Sequence, residues 1–469
     1  MTRIRTFEIA GGVRIVTPDS LNLVTPYVLY EQEDWFEEEI VFLRSFLRPG
    51  QHAIDVGANY GIYTLSIAKA VGPTGAVWAF EPASSTAEFL EQGIAANKFT
   101  QVVLERTALS RECGSAQLTL NSDPELNALT RAGEAAAASE TVLVATLDDC
   151  LQRHGWKHVD FVKIDAEGEE ANIIEGGRRF FADFSPLILY EVKAGTTLHL
   201  ELVAKFAAIG FDSYRLVPGL NMLVPFDAAE KPDDYLLNLF CCKKDCAAAL
   251  SDRGLLLDAA SIGGYRAGNR LKDFLRKHGD EYTWERKLAT LPYGSACEPS
   301  WDDSERDIAP VTEALALYAI SQDEKLPPLD RFHALETSLK ALISLSQERP
   351  PSLRLASLAR VARTYGARVI AVAALSRLIE TMLKERKVDL DEPFLAAEAH
   401  FDSIDPGHKI MDWILAAALE GLEKLSVFSS YYTGDASRRR LELIASVGYQ
   451  SAEMRRRLTL IQTRFPPPG

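Results

Sequence analysis

Residues 52–82 read HAIDVGANYGIYTLSIAKAVGPTGAVWAFEP. An apolar run, Ala53-Ile54-Asp55-Val56, ends in a glycine-bearing turn, Gly57-Ala58-Asn59-Tyr60-Gly61. A helical pattern follows through Ala70, and a second apolar run from Ala76 to Phe80 ends at Glu81. Strand, tight turn, helix, strand, acid is the layout of a nucleotide-type cofactor site at the carboxyl ends of a parallel sheet. Gly57 lets the backbone turn sharply and approach a ligand that a side chain would hold off. Helix-start amides near Gly61 are placed to receive a carboxylate. Glu81 stands at a strand end, where an acid accepts both hydroxyls of a ribose.

The turn is not the G-x-G-x-x-G dinucleotide fingerprint. It reads Asp55-x-Gly57-x-Asn59-x-Gly61, with an acid on the strand before the first glycine. An acid there repels a pyrophosphate and suits a ligand that carries an ammonium group. S-adenosylmethionine has an ammonium, a carboxylate and a ribose, and is the expected cofactor. Asp55, Gly57, Asn59, Gly61 and Glu81 are the candidate cofactor residues. Thr107 and Ala108, after the third expected strand, are candidates for the adenine end.

The stretches DVGANYGIYTL (55–65), AFEP (79–82), DFVKIDAEGEEANIIEGG (160–177) and PLILYEV (186–192) resemble the FkbM-type methyltransferases. The resemblance covers roughly residues 20–245, with four separated motifs in order. Tyr60 and Ala166 stand where that family usually has aliphatic residues. The resemblance implies an α/β fold with a seven-stranded Rossmann-like methyltransferase sheet and S-adenosylmethionine as methyl donor. It says less about the acceptor, which differs widely within the family.

At 469 residues the chain is too long for one ordinary domain. With 47% hydrophobic and 25% charged residues it reads as globular. A net charge of −15 argues against broad binding to nucleic acid or anionic membrane. Arg438-Arg439-Arg440 and Arg455-Arg456-Arg457 read as solvated helix faces. Six cysteines show no disulfide-framework or paired metal spacing, so no metal is expected and a reducing cytoplasm is. MTRIRTFEIAGG lacks the apolar core of a secretory signal. No run approaches the length of a membrane span.

Four regions follow. Residues 1–50 are an N-terminal extension, with a hairpin or edge strand around Gly11-Gly12 and a cover helix from about Asp34. Residues 51–246 are the methyltransferase domain. Its expected strands are 52–57, 76–81, 101–106, 159–164, 186–192, 211–217 and 235–242, and its helices 61–70, 84–97, 146–153, 168–180 and 197–209. One antiparallel strand is expected near the sheet edge, with short added strands at 115–120 and 141–145 and a loop or lid between them. Residues 247–310 read as a linker or transitional segment. Residues 311–469 form a helical domain whose pair of runs around Gly366 loosely matches a tetratricopeptide unit; a plain bundle fits as well.

Methyl transfer from a sulfonium mainly requires alignment and a dry site, while a hydroxyl acceptor also needs a base. Two places offer one. In Lys163-Ile164-Asp165-Ala166-Glu167-Gly168, strand alternation puts Lys163 and Asp165 on one side. Lys163 there keeps Asp165 ionised or orients the acceptor. Glu167 sits in the turn, within reach of helix-start amides. Glu191 closes the apolar strand PLILYEV, where an acid is costly to bury unpaired. Lys163, Asp165 and Glu191 are therefore the catalytic candidates. Glu167, Lys193, His199 and Tyr27 are candidates for the acceptor site.

The resulting expectation is a cytoplasmic S-adenosylmethionine-dependent methyltransferase acting on a hydroxyl of a sugar, glycan precursor or other polyhydroxylated metabolite. Nitrogen or carboxyl methylation is the alternative enzyme. A non-catalytic scaffold that binds partners through its helices is the alternative of another class. The C-terminal helices are expected to position substrate, form a homodimer or dock a protein partner.

Overall fold

A computed structural model describes residues 3–130, 138–194, 197–267, 270–302, 307–347 and 350–466. They divide into two compact units. The first comprises 1–216, 223–232 and 236–256, and the second 217–222, 233–235 and 257–469, the described residues of each being meant.

The first unit opens with an antiparallel hairpin, β1 (Ile4–Ile9) and β2 (Val13–Pro18). Two helices follow, α1 (Val24–Gln32) and α2 (Glu38–Phe46). The cover helix expected from about Asp34 is α2, which starts at Glu38, and α1 is a further helix ahead of it. Glu33 adopts a left-handed conformation (φ 62°) and ends α1. Then come β3 (His52–Val56), α3 (Ile62–Val71), β4 (Ala76–Phe80), α4 (Ser84–Asn97), β5 (Val102–Glu105) and β6 (Thr107–Leu109). Next are β7 (Gly114–Thr119), β8 (Ala128–Leu129), β9 (Ser139–Ala145), α5 (Leu147–His154) and β10 (Phe161–Ile164). The expected helix at 168–180 is broken at Gly177 into α6 (Glu170–Gly176) and α7 (Arg178–Asp183). The unit closes with β11 (Leu187–Glu191), β12 (Lys193–Ala194), β13 (Thr197–Leu198), α8 (Glu201–Ala208), β14 (Asp212–Val217), β15 (Met222–Pro225), β16 (Asn238–Cys242) and α9 (Lys244–Asp252).

The main sheet has the order β15-β14-β16-β11-β10-β3-β4-β5. It holds eight strands among the described residues, not seven: β15, four residues long and closed by Pro225, adds an edge strand. Too short to show a period, β15 leaves no mark in the sequence pattern. β11, β10, β3, β4 and β5 run parallel. β16 is antiparallel to both β11 and β14, as the absence of a helix before it requires. β6, β9, β7 and β8 form a separate four-stranded sheet.

The central strands are apolar throughout because both faces are covered. Ala53, Phe161, Leu187 and Leu189 join one buried cluster with α2 and α3. Ile54, Val162, Ile188 and Tyr190 join the other, with α5, α7 and α8. Alternation then puts Asp55 and Lys163 on the face of Ala53 and Phe161.

The second unit is helical. It contains α10 (Ala259–Ala267), α11 (Arg270–His278), α12 (Trp284–Lys287) and α13 (Pro292–Asp302), so the stretch read as transitional is itself largely helix. Its glycines and prolines hid the helical period. Then follow α14 (Ala309–Ser321), α15 (Pro328–Leu345), α16 (Ser352–Tyr365), α17 (Arg368–Glu385), α18 (Ile410–Ser426), α19 (Ser430–Thr433), α20 (Arg438–Val447) and α21 (Ala452–Arg464). α14 packs on α15, and α16 on α17 across Gly366, whose φ is 89°. Arg457, 1% exposed, lies among the carboxylates of Glu423 and Glu453, so the second arginine run is not wholly a solvated face. Among the described residues no helix is long and apolar enough to cross a membrane.

Candidate active site

The carboxyl ends of β3, β4, β10 and β11 converge. On β3, Asp55 is fully buried; its Oδ2 accepts a hydrogen bond from Thr64 Oγ1 at 2.5 Å. Burial raises its pKa, and the neighbouring Lys163 opposes the rise. Its Oδ1 is buried with no hydrogen-bond partner.

Gly57 follows with φ 77°, and its amide and that of Ala58 both donate to Phe80 O at 3.0 Å. Asn59 is left-handed too (φ 48°) and donates its backbone N–H to Glu81 Oε2 at 2.8 Å. Gly61 has φ 87° and precedes α3. At the end of β4, Glu81 is 6% exposed and its other oxygen accepts from Ala83 N at 2.8 Å. Burial pushes its pKa up to about 7. Thr107 and Ala108 are buried on β6, Ala108 within a small apolar cluster with Ala83.

Lys163 and Asp165 meet as the strand alternation predicts, Nζ to Oδ2 at 2.7 Å. The ammonium also stands 4.9 Å from the centre of the Tyr63 ring. Burial works against the charged lysine, yet Asp165, Asp55 and Glu37 raise its pKa on balance.

Glu167 does not hold the helix-start amides. That work falls to Glu170, whose Oε1 accepts from Ala166 N at 2.9 Å and Gly168 N at 3.3 Å. Glu167, left-handed at φ 48°, turns instead toward Asp165 and Glu191. Oxygens of these three carboxyls lie within 4.8 Å of one another, close enough to share protons or hold a cation. Burial, then Asp165, raises Glu167 to about 8 and Glu191 to about 11.

Three acceptor-site candidates find other surroundings. Tyr27 is fully buried on α1 and offers no exposed face. Lys193 does not continue the strand of Glu191, because β11 ends there and Lys193 pairs with Leu198 in the β12–β13 ribbon. His199 Nδ1 lies 2.9 Å from Glu201 Oε1 in a surface pair.

Two further carboxyls enter the site. Glu37, between α1 and α2, accepts a hydrogen bond from Tyr63 OH, and burial raises its pKa. Glu125 accepts from Asn59 Nδ2 at 2.6 Å and from Thr25 Oγ1, and burial pushes it up to about 8. Neither lies near a glycine motif or strand end in the sequence. Part of the expected 121–140 loop is thus an ordered turn; residues 131–137 lie outside those described.

The cleft therefore carries an acid with an acceptor to spare (Asp55), a backbone turn of close approach (Gly57) and a strand-end acid (Glu81). That donor set fits an ammonium and a ribose. Residues 55–213 match the family model described as methyltransferase FkbM domain. Residues 55–213 thus form an FkbM methyltransferase domain, and S-adenosylmethionine is its methyl donor. Solved structures similar to it include methyltransferase FkbM from Methylobacillus flagellatus KT, at 16% identity and a TM-score of 0.31 over 45% of this chain and 49% of that one. A putative rRNA methylase from Clostridium thermocellum is similar at 11% identity and a TM-score of 0.29, over 45% and 95%. A SAM-dependent O-methyltransferase from Thermotoga maritima is similar at 14% and 0.25, over 51% and 77%. No curated protein matches the chain.

Proposed function

We propose that this protein O-methylates a hydroxyl of a sugar, glycan precursor or other polyhydroxylated metabolite. The observation that carries the reading is the cluster of Asp165, Glu167 and Glu191 at the ends of β10 and β11, beside a cleft suited to the donor. Bound S-adenosylmethionine supplies a methyl carbon on a sulfonium leaving group. Asp55 holds the ammonium, the turn at Gly57 admits close approach, and Glu81 receives the ribose hydroxyls. Glu191 is placed to take the proton of the acceptor hydroxyl, while the donor, when bound, would supply the methyl group and a neutral thioether as leaving group. Burial and the neighbouring Asp165 push Glu191 up to about 11, so it is protonated near neutral pH in the donor-free cleft and acts as base only once the positive charge of a bound sulfonium favours its ionised form. Lys163 pairs with Asp165 beside it.

The protein works in the cytoplasm, where its six unbridged cysteines stay reduced. The second unit, with tetratricopeptide-like pairs in α14–α15 and α16–α17, positions the acceptor, dimerises or docks a protein partner. The test is transfer of a labelled methyl group to fractionated extracts, with mass spectrometry of the product. A label on a hydroxyl oxygen supports the reading; a label on nitrogen or a carboxylate replaces it with the alternative chemistry. Absence of donor binding by titration would leave a scaffold.

A further inference from the structure

The turn between β7 and β8 is held at its base by the register Leu118↔Leu129 and Thr119↔Ala128. Asn121 N donates to Asn127 Oδ1 at 2.8 Å, and Leu126 N to Asp123 O at 3.1 Å. This fixed turn presents two acids in one direction. Asp123 Oδ2 accepts from Val24 N at 3.3 Å, at the start of α1, where Leu23 has no side-chain oxygen to cap the helix. Glu125 accepts from Thr25 Oγ1 with one oxygen and from Asn59 Nδ2 with the other. Leu126 beside it is 58% exposed, so the turn is wet outside while its glutamate reaches inward.

Asn59 is thereby engaged at every polar group of side chain and amide. Its Nδ2 donates to Glu125, its Oδ1 accepts from Tyr60 N at 2.6 Å, and its N–H donates to Glu81. A non-glycine residue at φ 48° persists only where its surroundings over-determine it. Two bonds of that support come from outside the glycine turn, to Glu81 at the end of β4 and to Glu125. The Glu125 bond is the two-ended contact that ties α1, the 123–126 turn and the cofactor turn together.

We infer that Glu125 is a positioning residue of the donor pocket, acting through Asn59 to hold Glu81 in register for the ribose. This rests on the reading of the cleft as an S-adenosylmethionine site. It makes the β7–β8 turn part of that site, although no residue of the turn is assigned to the donor itself.

The test is isothermal titration of the full-length chain with S-adenosylmethionine and with S-adenosylhomocysteine. The proteins compared are wild type, Glu125→Ala, Glu125→Gln, Asn59→Ala and the Glu125→Ala/Asn59→Ala double variant, with Leu126→Ala as control and thermal unfolding measured on each. Glu125→Ala should weaken both ligands about 10-fold, as loss of a buried hydrogen bond does. Glu125→Gln, which keeps an acceptor, should restore most of the affinity, and Leu126→Ala should match wild type. The double variant should bind within about 2-fold of Asn59→Ala alone, because the two residues act in series. Wild-type affinity in Glu125→Ala, or effects of the single variants that multiply in the double, would overturn the inference. If Glu125→Ala fails to fold, Glu125→Met, which keeps the side-chain volume without an acceptor oxygen, and the Glu125→Met/Asn59→Ala pair decide in the same way. A wild-type protein that binds neither ligand would overturn the donor reading itself, and this inference with it.

Discussion

Gly57 lies so close beneath Asp165 that a Cβ built on it would stand 1.7 Å from the Asp165 carbonyl oxygen. The end of β3 and the end of β10 are thus in backbone contact where the cofactor turn begins and the candidate catalytic segment leaves its strand. The carbonyl oxygen comes this close only because residue 57 carries a hydrogen where other residues carry a Cβ. The same residue also has a φ of 77°, a conformation other residues adopt only with strain.

From this contact follows the first prediction. Gly57→Ala should lower stability by about 1–3 kcal/mol from backbone strain, with a further loss from displacing Asp165. Donor affinity should fall as well. Thermal unfolding and titration read the two effects separately. An unchanged melting temperature would show that the strand ends are farther apart in solution.

Glu81→Ala should weaken S-adenosylmethionine binding by about 1.5–3 kcal/mol, through loss of a charged acceptor. Part of that loss comes from Asn59 N and Ala83 N, which both donate to Glu81. Glu81→Gln should fall between, since one carbonyl oxygen remains. Titration of both variants checks the order, and equal affinities across the series would remove Glu81 from the site.

For the chemical step, Glu191→Gln and Asp165→Asn should each lower kcat by about 100-fold or more if the acceptor is a hydroxyl. Glu191→Gln should leave donor affinity within a few-fold. Once the labelled product is known, single-turnover rates on it supply the measurement. Near-normal rates in both variants would favour an acceptor that needs no base.

The acids of the cleft also set a pH dependence. Burial raises Glu81 to about 7, Glu125 and Glu167 to about 8, and Glu191 to about 11 in the folded chain. Unfolded, each titrates near 4.3. Between those values the folded state holds more protons, so this contribution to stability is full below about pH 4.3 and is lost as pH rises through 7 to 8 and beyond. The donor-free protein should melt at a lower temperature at pH 8 than at pH 5.5. A Glu81→Gln/Glu125→Gln/Glu167→Gln variant should show a flatter profile over that window. Glu398, whose pKa is lowered by Arg363 and Lys424 against the effect of burial, loses its contribution only in more acidic solution. Identical slopes in wild type and variant would refute the assignment of the drop to these groups.

Much of the donor site is local in sequence. Asp55, Gly57, Asn59, Gly61 and Glu81 lie on one strand–turn–helix–strand unit, and their spacing alone places them at one sheet end. The pairing of Lys163 with Asp165 is equally local, because two residues apart on a strand is the same side. Longer-range partners left no such trace. Glu125 reaches Asn59 across 66 residues and Thr25 across 100, through a turn whose sequence reads as an ordinary loop. Glu37 reaches Tyr63 only because α1 ends at a left-handed Glu33. Glu170, three residues after Glu167 in one acidic run, takes the helix-start amides expected of Glu167, since capping geometry depends on where the helix begins.

The sequence by itself determined the parallel strand pattern, the cofactor turn and the type of ligand it takes, because period, glycine placement and an acid at a strand end are properties of contiguous residues. Tertiary structure alone decided that an eighth strand closes the sheet edge, that the described residues of 247–302 are mostly helical, and that Tyr27 is buried, Lys193 lies in a two-stranded ribbon and His199 pairs with Glu201. It also decided that Asp165, Glu167 and Glu191 share one small space. Those outcomes depend on which segments meet, and the energy of a buried carboxyl is set by the neighbours that folding brings to it rather than by the residues beside it in the chain.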